Sequence, residues 1–173
     1  MRKILSVIIM FTLISSLISA DSFEPLSVEF TVDGTVNAGF TENKVVSTIK
    51  PGDKEEVSEK KFTYNSTNNS FVLSNLYYYV QTFTAGNIMV TLKGDPLKQE
   101  GGSESISWLS SSDDTSGLSS GAAAKTVVDE TSETNHMYPR VYSGEIYIEI
   151  PIENVKNTES SYTATLTLEV TSK

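Results

Sequence analysis

Cysteine is absent from this chain. That excludes disulfide staples, thiol catalysis, lipid attachment at a leader cleavage site and any zinc site with sulfur ligands. Packing and backbone hydrogen bonds must hold the fold. There is one histidine, His136, so an all-histidine metal site is excluded too. Basic residues are few: 13 Lys and Arg face 22 Asp and Glu, for a net charge of −9. Such a surface repels phosphate, so nucleic acid and anionic lipid are poor partners. No run is long enough to span a bilayer comfortably. The longest uncharged apolar run, Ile4 to Ile18, falls short of the roughly twenty residues a spanning helix needs.

That run sits in an informative place. Arg2 and Lys3 precede it, and the small residues Ser19 and Ala20 follow it. A basic start, a short apolar stretch and a small residue at the cut make up a secretory leader. Residues 1–20 are therefore expected to be removed on export, to the periplasm or the cell surface. The remaining 153 residues, 21–173, are enough for one domain with its own core, and carry 11 basic against 22 acidic side chains, a net charge of −11. The mature part holds no expected transmembrane span.

Apolar residues recur at a period of two. Leu26, Val28, Phe30 and Val32 alternate with polar neighbours, as do Ile88, Val90 and Leu92. Ile146, Ile148, Ile150 and Ile152 repeat the pattern, and Tyr162, Ala164, Leu166, Leu168 and Val170 give it most cleanly. Alternation places one set of side chains on one sheet face, so each run reads as a strand with one wet side. Further strands are expected at Val36 to Phe40, Val45 to Ile49, Lys61 to Tyr64, Ser70 to Phe83 and Ser105 to Leu109. Turn residues separate them, notably Asp33-Gly34, Pro51-Gly52-Asp53 and Gly94-Asp95-Pro96. About eight to ten short strands predict an all-β, Ig-like antiparallel sandwich. Ala122 to Val127 reads as one helical turn, the charged stretch Lys50 to Lys61 as a solvated hairpin tip, and the Ser- and Gly-rich stretch Gly101 to Gly121 as a loop.

Gly117-Leu118-Ser119-Ser120-Gly121 matches the G-x-S-x-G nucleophile elbow, and Asp129 and His136 follow in hydrolase order. The elbow works because a buried strand feeds a sharp turn into a helix. Ser110 to Ser116 cannot be that strand, so no catalytic residue is assigned. Metal ligands and cofactors are not expected either, since a D-x-D-x-D-G calcium loop is absent. Asn65-Ser66-Thr67 and Asn68-Asn69-Ser70 fit the glycosylation pattern but read as a polar turn. Trp108 is expected in the core, with a sugar-stacking platform as its functional alternative. Tyr77, Tyr78 and Tyr79 are adjacent, so strict alternation exposes either Tyr78 or the outer pair as contact or ligand aromatics.

Several segments resemble the cysteine-free major subunits of colonisation-factor fimbriae, assembled by the alternate chaperone-usher route. They are Ser27-Val28-Glu29-Phe30-Thr31-Val32-Asp33, Tyr79-Val80-Gln81-Thr82 with Ile88-Met89-Val90-Thr91-Leu92, Ile106-Ser107-Trp108, and the closing Tyr162-Thr163-Ala164-Thr165-Leu166-Thr167-Leu168. Ser161 and Ala164 depart from the glycines usual around that tyrosine. The resemblance implies an incomplete sandwich finished by the N-terminal strand of the next subunit, with Leu26, Val28, Phe30 and Val32 as donor residues. It also implies self-association or pairing with other surface subunits, and a periplasmic chaperone. Four such side chains contribute roughly 6–12 kcal/mol when fully buried, comparable to a whole domain's stability of about 5–15 kcal/mol. The competing expectation is a monomeric exported module that binds carbohydrate or an envelope partner.

Overall fold

The structure is a computed structural model that describes residues 7–9, 26–31, 36–47, 57, 60–82, 87–130, 139–156 and 160–172. They form eleven strands: β1 (Val7–Ile9), β2 (Leu26–Thr31), β3 (Val36–Thr41), β4 (Thr63–Asn65), β5 (Ser70–Thr82), β6 (Ile88–Gly94), β7 (Leu97–Gln99), β8 (Ser105–Ile106), β9 (Lys125–Asp129), β10 (Arg140–Pro151) and β11 (Tyr162–Ser172). Among the described residues the helical content is two single 3-10 turns, Asp113–Thr115 and Ile152–Asn154.

The strands make two sheets. The first runs β1-β2-β11-β6-β9, with β7 beside β11 and β8 beside β7; the second runs β10-β5-β3, with β4 beside β5. Alternating side chains from both meet in one apolar cluster that includes Phe40, Leu76, Val80, Val90, Leu92, Ile146, Ile148, Leu166 and Leu168. Every second residue of β11, from Tyr162 to Val170, is buried, as the period of two requires. The chain is an all-β sandwich.

The longest strand changes face partway along. In β5, Phe71 and Leu73 point into the core, and so do Leu76, Tyr78 and Val80. The parity switches because Leu73 pairs with Ile148 while Leu76 pairs with Ile146, so two residues, Ser74 and Asn75, stand opposite the single Tyr147. Asn75 takes φ +54° to make this bulge. Asparagine is among the few residues that reach the left-handed region without large cost.

Several expectations are corrected. All ladders are antiparallel except β2 with β11, which is parallel. Residues 45–47 are not in a strand, and Val46 is 83% exposed; residues 48–49 lie outside the described set. Lys125–Asp129 is a strand against β6, not a helical turn, because its β-branched residues Thr126, Val127 and Val128 outweigh the preceding alanines. Val57, within the expected solvated tip, is buried and donates its N–H to the Phe40 carbonyl at 3.0 Å. The other tip residues from 50 to 59 lie outside the described set. Strand β8 stops at Ile106 instead of reaching Leu109.

The Ser-rich stretch is ordered. Ser110 N–H donates to Leu118 O (2.9 Å), Ser120 N–H to Trp108 O (3.0 Å) and Gly121 N–H to Gly94 O (2.8 Å). Ser111 N–H reaches across to Tyr147 O on β10 (2.8 Å), and the Asp114 carboxylate accepts the Glu145 N–H (2.9 Å). The segment therefore leads from the first sheet to the open edge of the second and satisfies backbone groups there. Its serines are hydrogen-bonding residues; their polarity made them look like solvated loop.

Candidate functional site

The edge of the first sheet is the candidate site. Strand β2 lies in parallel register on β11, from Leu26 opposite Ala164 to Thr31 opposite Glu169. On its other side β11 carries β6, from Leu166 opposite Gly94 to Ser172 opposite Ile88. The closing strand is thus central, and its N-terminal neighbour arrives from the far end of the chain. Leu26, Val28 and Phe30, the positions expected as donors, stand opposite the buried Ala164, Leu166 and Leu168. Val32 lies outside the described residues. Removing β2 would open one edge of β11 along six residues while β6 stays on the other, which is the geometry strand addition exploits.

At the upper end of β11 the closing tyrosine is anchored. The Tyr162 phenol, wholly buried in its ring, donates to Glu104 Oε2 at 2.7 Å, and Lys156 N–H donates to Glu104 Oε1 at 2.8 Å. The phenol's hydrogen bond, followed by the Lys156 N–H and ammonium, holds the Glu104 carboxyl below its usual range despite the opposing effect of desolvation. Gln99 Nε2 donates to Ser160 Oγ at 2.7 Å across the same corner.

The candidate aromatics are placed otherwise than strict alternation predicts. Trp108 is 5% exposed; its ring lies over Gly94 and its indole N–H donates to Asp95 O at 2.9 Å. Tyr78 and Tyr79 are both buried, on opposite faces of β5, and Tyr77 is half-buried. Tyr78 points inward against Gly144. Burial, then the nearby Asp114 carboxylate, pushes its phenol up to about 12. Tyr79 points outward over Gly39, where an added Cβ would come within 3.2 Å of its ring. The chain after β3 crosses this outer face: Val45 N–H donates to Ser143 Oγ at 3.2 Å and Lys44 pairs with Asp114 at 3.5 Å. A sheet face with a strap over it buries both parities, which a two-sided alternation cannot anticipate. None of the three buried rings presents a face to a ligand.

The nucleophile-elbow pattern lacks its architecture. Ser119 forms an isolated bridge with Leu109, Gly117 and Gly121 have φ of +83° and +71°, and Leu118 is buried. The glycines serve turns, with no helix following. Asp129 ends β9, and His136 lies outside the described residues.

A shallow depression of about 490 Å³ is lined by Ser111, Ser112, Asp113, Asp114, Glu145 and Tyr147. Sequence reasoning missed it, because it forms only when the Ser-rich segment lies along β10. Among the described residues, no group of three or more His, Cys, Asp or Glu side chains is arranged to hold a metal ion. At the opposite end, Arg140 donates to Glu130 Oε2 and the Tyr142 phenol donates to Glu130 Oε1. Burial and that carboxylate raise the Tyr142 phenol strongly.

Comparison with known proteins leaves the fold to stand by itself: no family model, curated protein or solved structure matches this chain. The class that can be stated is an all-β sandwich in which β2 pairs in parallel with the last strand, β11. No helix among the described residues is long and apolar enough to cross a membrane.

Proposed function

We propose that this chain is an exported structural subunit of a surface fibre, assembled by β-strand addition and without enzymatic activity. In this reading β2 leaves its own β11 and completes the sheet of a neighbouring copy. The observation that carries it is the β2–β11 ladder. A strand from the N-terminal part of the chain, set on β11 by a parallel ladder, covers the edge of a closing strand whose alternate side chains are buried. Such a strand can be exchanged between copies without altering the rest of the fold. The net charge of −11 in residues 21–173 keeps unassembled copies apart until strands pair. The competing carbohydrate-binding reading loses its platform with the burial of Trp108, Tyr78 and Tyr79.

Deletion of Ser22 to Val32 tests the proposal. The truncated chain is expected to be unstable, and a synthetic peptide of the deleted sequence to restore a cooperative unfolding transition. A truncated chain that folds stably and ignores the peptide would remove β2 from the assembly mechanism.

A further inference from the structure

Strand β2 is six residues long and β11 eleven, so their pairing leaves room for error. A slip of one residue would invert the alternation of β2 and is excluded by the buried face. A slip of two in either direction keeps the alternation and still pairs all six residues, with Leu26 opposite Leu166 or Tyr162. The apolar pattern therefore does not choose among these three registers.

Charge does. Strands β2, β11 and β6 each carry a single charged residue: Glu29, Glu169 and Lys93. In the observed register Glu29 stands opposite Thr167, and Thr167 stands opposite Lys93 on its other side. The three positions form one row across the sheet, with the acid and the exposed Lys93 two strands, about 10 Å, apart at the backbone. A slip of two toward the end of β11 would set Glu29 directly opposite Glu169. A slip of two the other way would set it opposite Thr165. The Thr165 carbonyl accepts the Asp95 N–H at 2.8 Å, so that row would end on an acid. Each wrong register meets a like charge, and the observed one meets the cation.

We propose that Glu29 and Lys93 select the register in which β2 is added to a sheet, and with it the donor: a strand with an acid at position 29, supplied by a second copy of this chain. The inference rests on the strand-addition reading and names the specificity of the edge that receives the strand. In a fibre every junction repeats one register, so a two-residue slip would displace the next copy by about 7 Å. The charged row discriminates against that slip, where the apolar residues of β2 fit equally well.

The absence of cysteine makes the register directly readable. Two reporter pairs are introduced into residues 21–173. Ser27→Cys with Thr165→Cys joins positions opposed in the observed register, and Ser27→Cys with Thr167→Cys joins positions opposed only after a slip of two. Opposed positions lie about 5 Å apart, within reach of a disulfide, and a two-residue offset takes them to about 8 Å, beyond it. Each pair is placed in the natural background, in Glu29→Lys and in Lys93→Gln, and mild oxidation is followed by non-reducing electrophoresis. With lysine at position 29 the attraction moves to Glu169, whereas Lys93→Gln removes an exposed cation and leaves the core intact. The expected result is the 27–165 bond in the natural background and a shift of about tenfold toward the 27–167 bond in Glu29→Lys. Lys93→Gln should shift the ratio the same way by less. One ratio in all three backgrounds would overturn the register inference. A ratio that moves as expected, with every bond inside a single chain at all concentrations, would leave the register pair standing and overturn the strand-addition reading instead.

Discussion

A Cβ on Gly94 would lie 2.2 Å from the Trp108 ring, so the position tolerates no side chain unless the indole moves. Gly94→Ala is expected to cost about 1–3 kcal/mol, the usual range for overpacking. Chemical denaturation measures the loss, and a red-shifted Trp108 emission would report the displaced ring. Tyr78 gives a second prediction. Its phenol is raised to about 12, above the unfolded value near 10. Between those values the unfolded chain gives up a proton that the folded chain keeps, so stability holds below about pH 10 and falls as the pH rises toward 12. Tyr142 is raised in the same direction and steepens the fall. Denaturation midpoints measured from pH 9 to 12 should drop less steeply in Tyr78→Phe. An equal slope in that variant would contradict the burial of the Tyr78 phenol and, after it, its placement beside Asp114.

Strands β2, β6, β10 and β11 were legible from alternation, because period-two burial is all that a half-buried strand needs, and β3 and β5 from apolar and aromatic runs set between turn residues. Less legible was which strand lies beside which. Alternation states the face of a residue and says nothing of its neighbour, so the parallel β2–β11 ladder left no mark in the sequence. The bulge in β5 was hidden for another reason: Ser74-Asn75 looks like any polar pair, and its effect is to change the parity of Leu76, Tyr78 and Val80. That account predicts Asn75→Val to destabilise by about 1–3 kcal/mol, since a β-branched residue is strained at φ +54°. Asn75→Gly should be near neutral by the same denaturation assay. Strand β9 was misread as helix because three alanines precede it, although its own residues are β-branched.

At the scale of the molecule, the absence of cysteine leaves the joining of the sheets to side chains. Residues 130 and 140 end the crossover from β9 to β10, and their Glu–Arg pair, with Tyr142, clamps it where Arg140 is buried. Arg140→Met should cost about 3 kcal/mol, the low end for a broken buried pair because Glu130 keeps some contact with solvent. The loss should persist at high salt, as buried pairs are weakly screened. A smaller loss in the double variant with Glu130→Leu would separate the burial cost of the carboxylate from the worth of the pair. The central claim concerns how the whole molecule uses strand β2, and sedimentation of residues 21–173 across concentration and mild heating tests it most directly. Strand addition predicts polymers that resist dilution, alongside a monomer that unfolds readily or requires a partner. A stable monomer at every concentration, unfolding in one cooperative step, would contradict it.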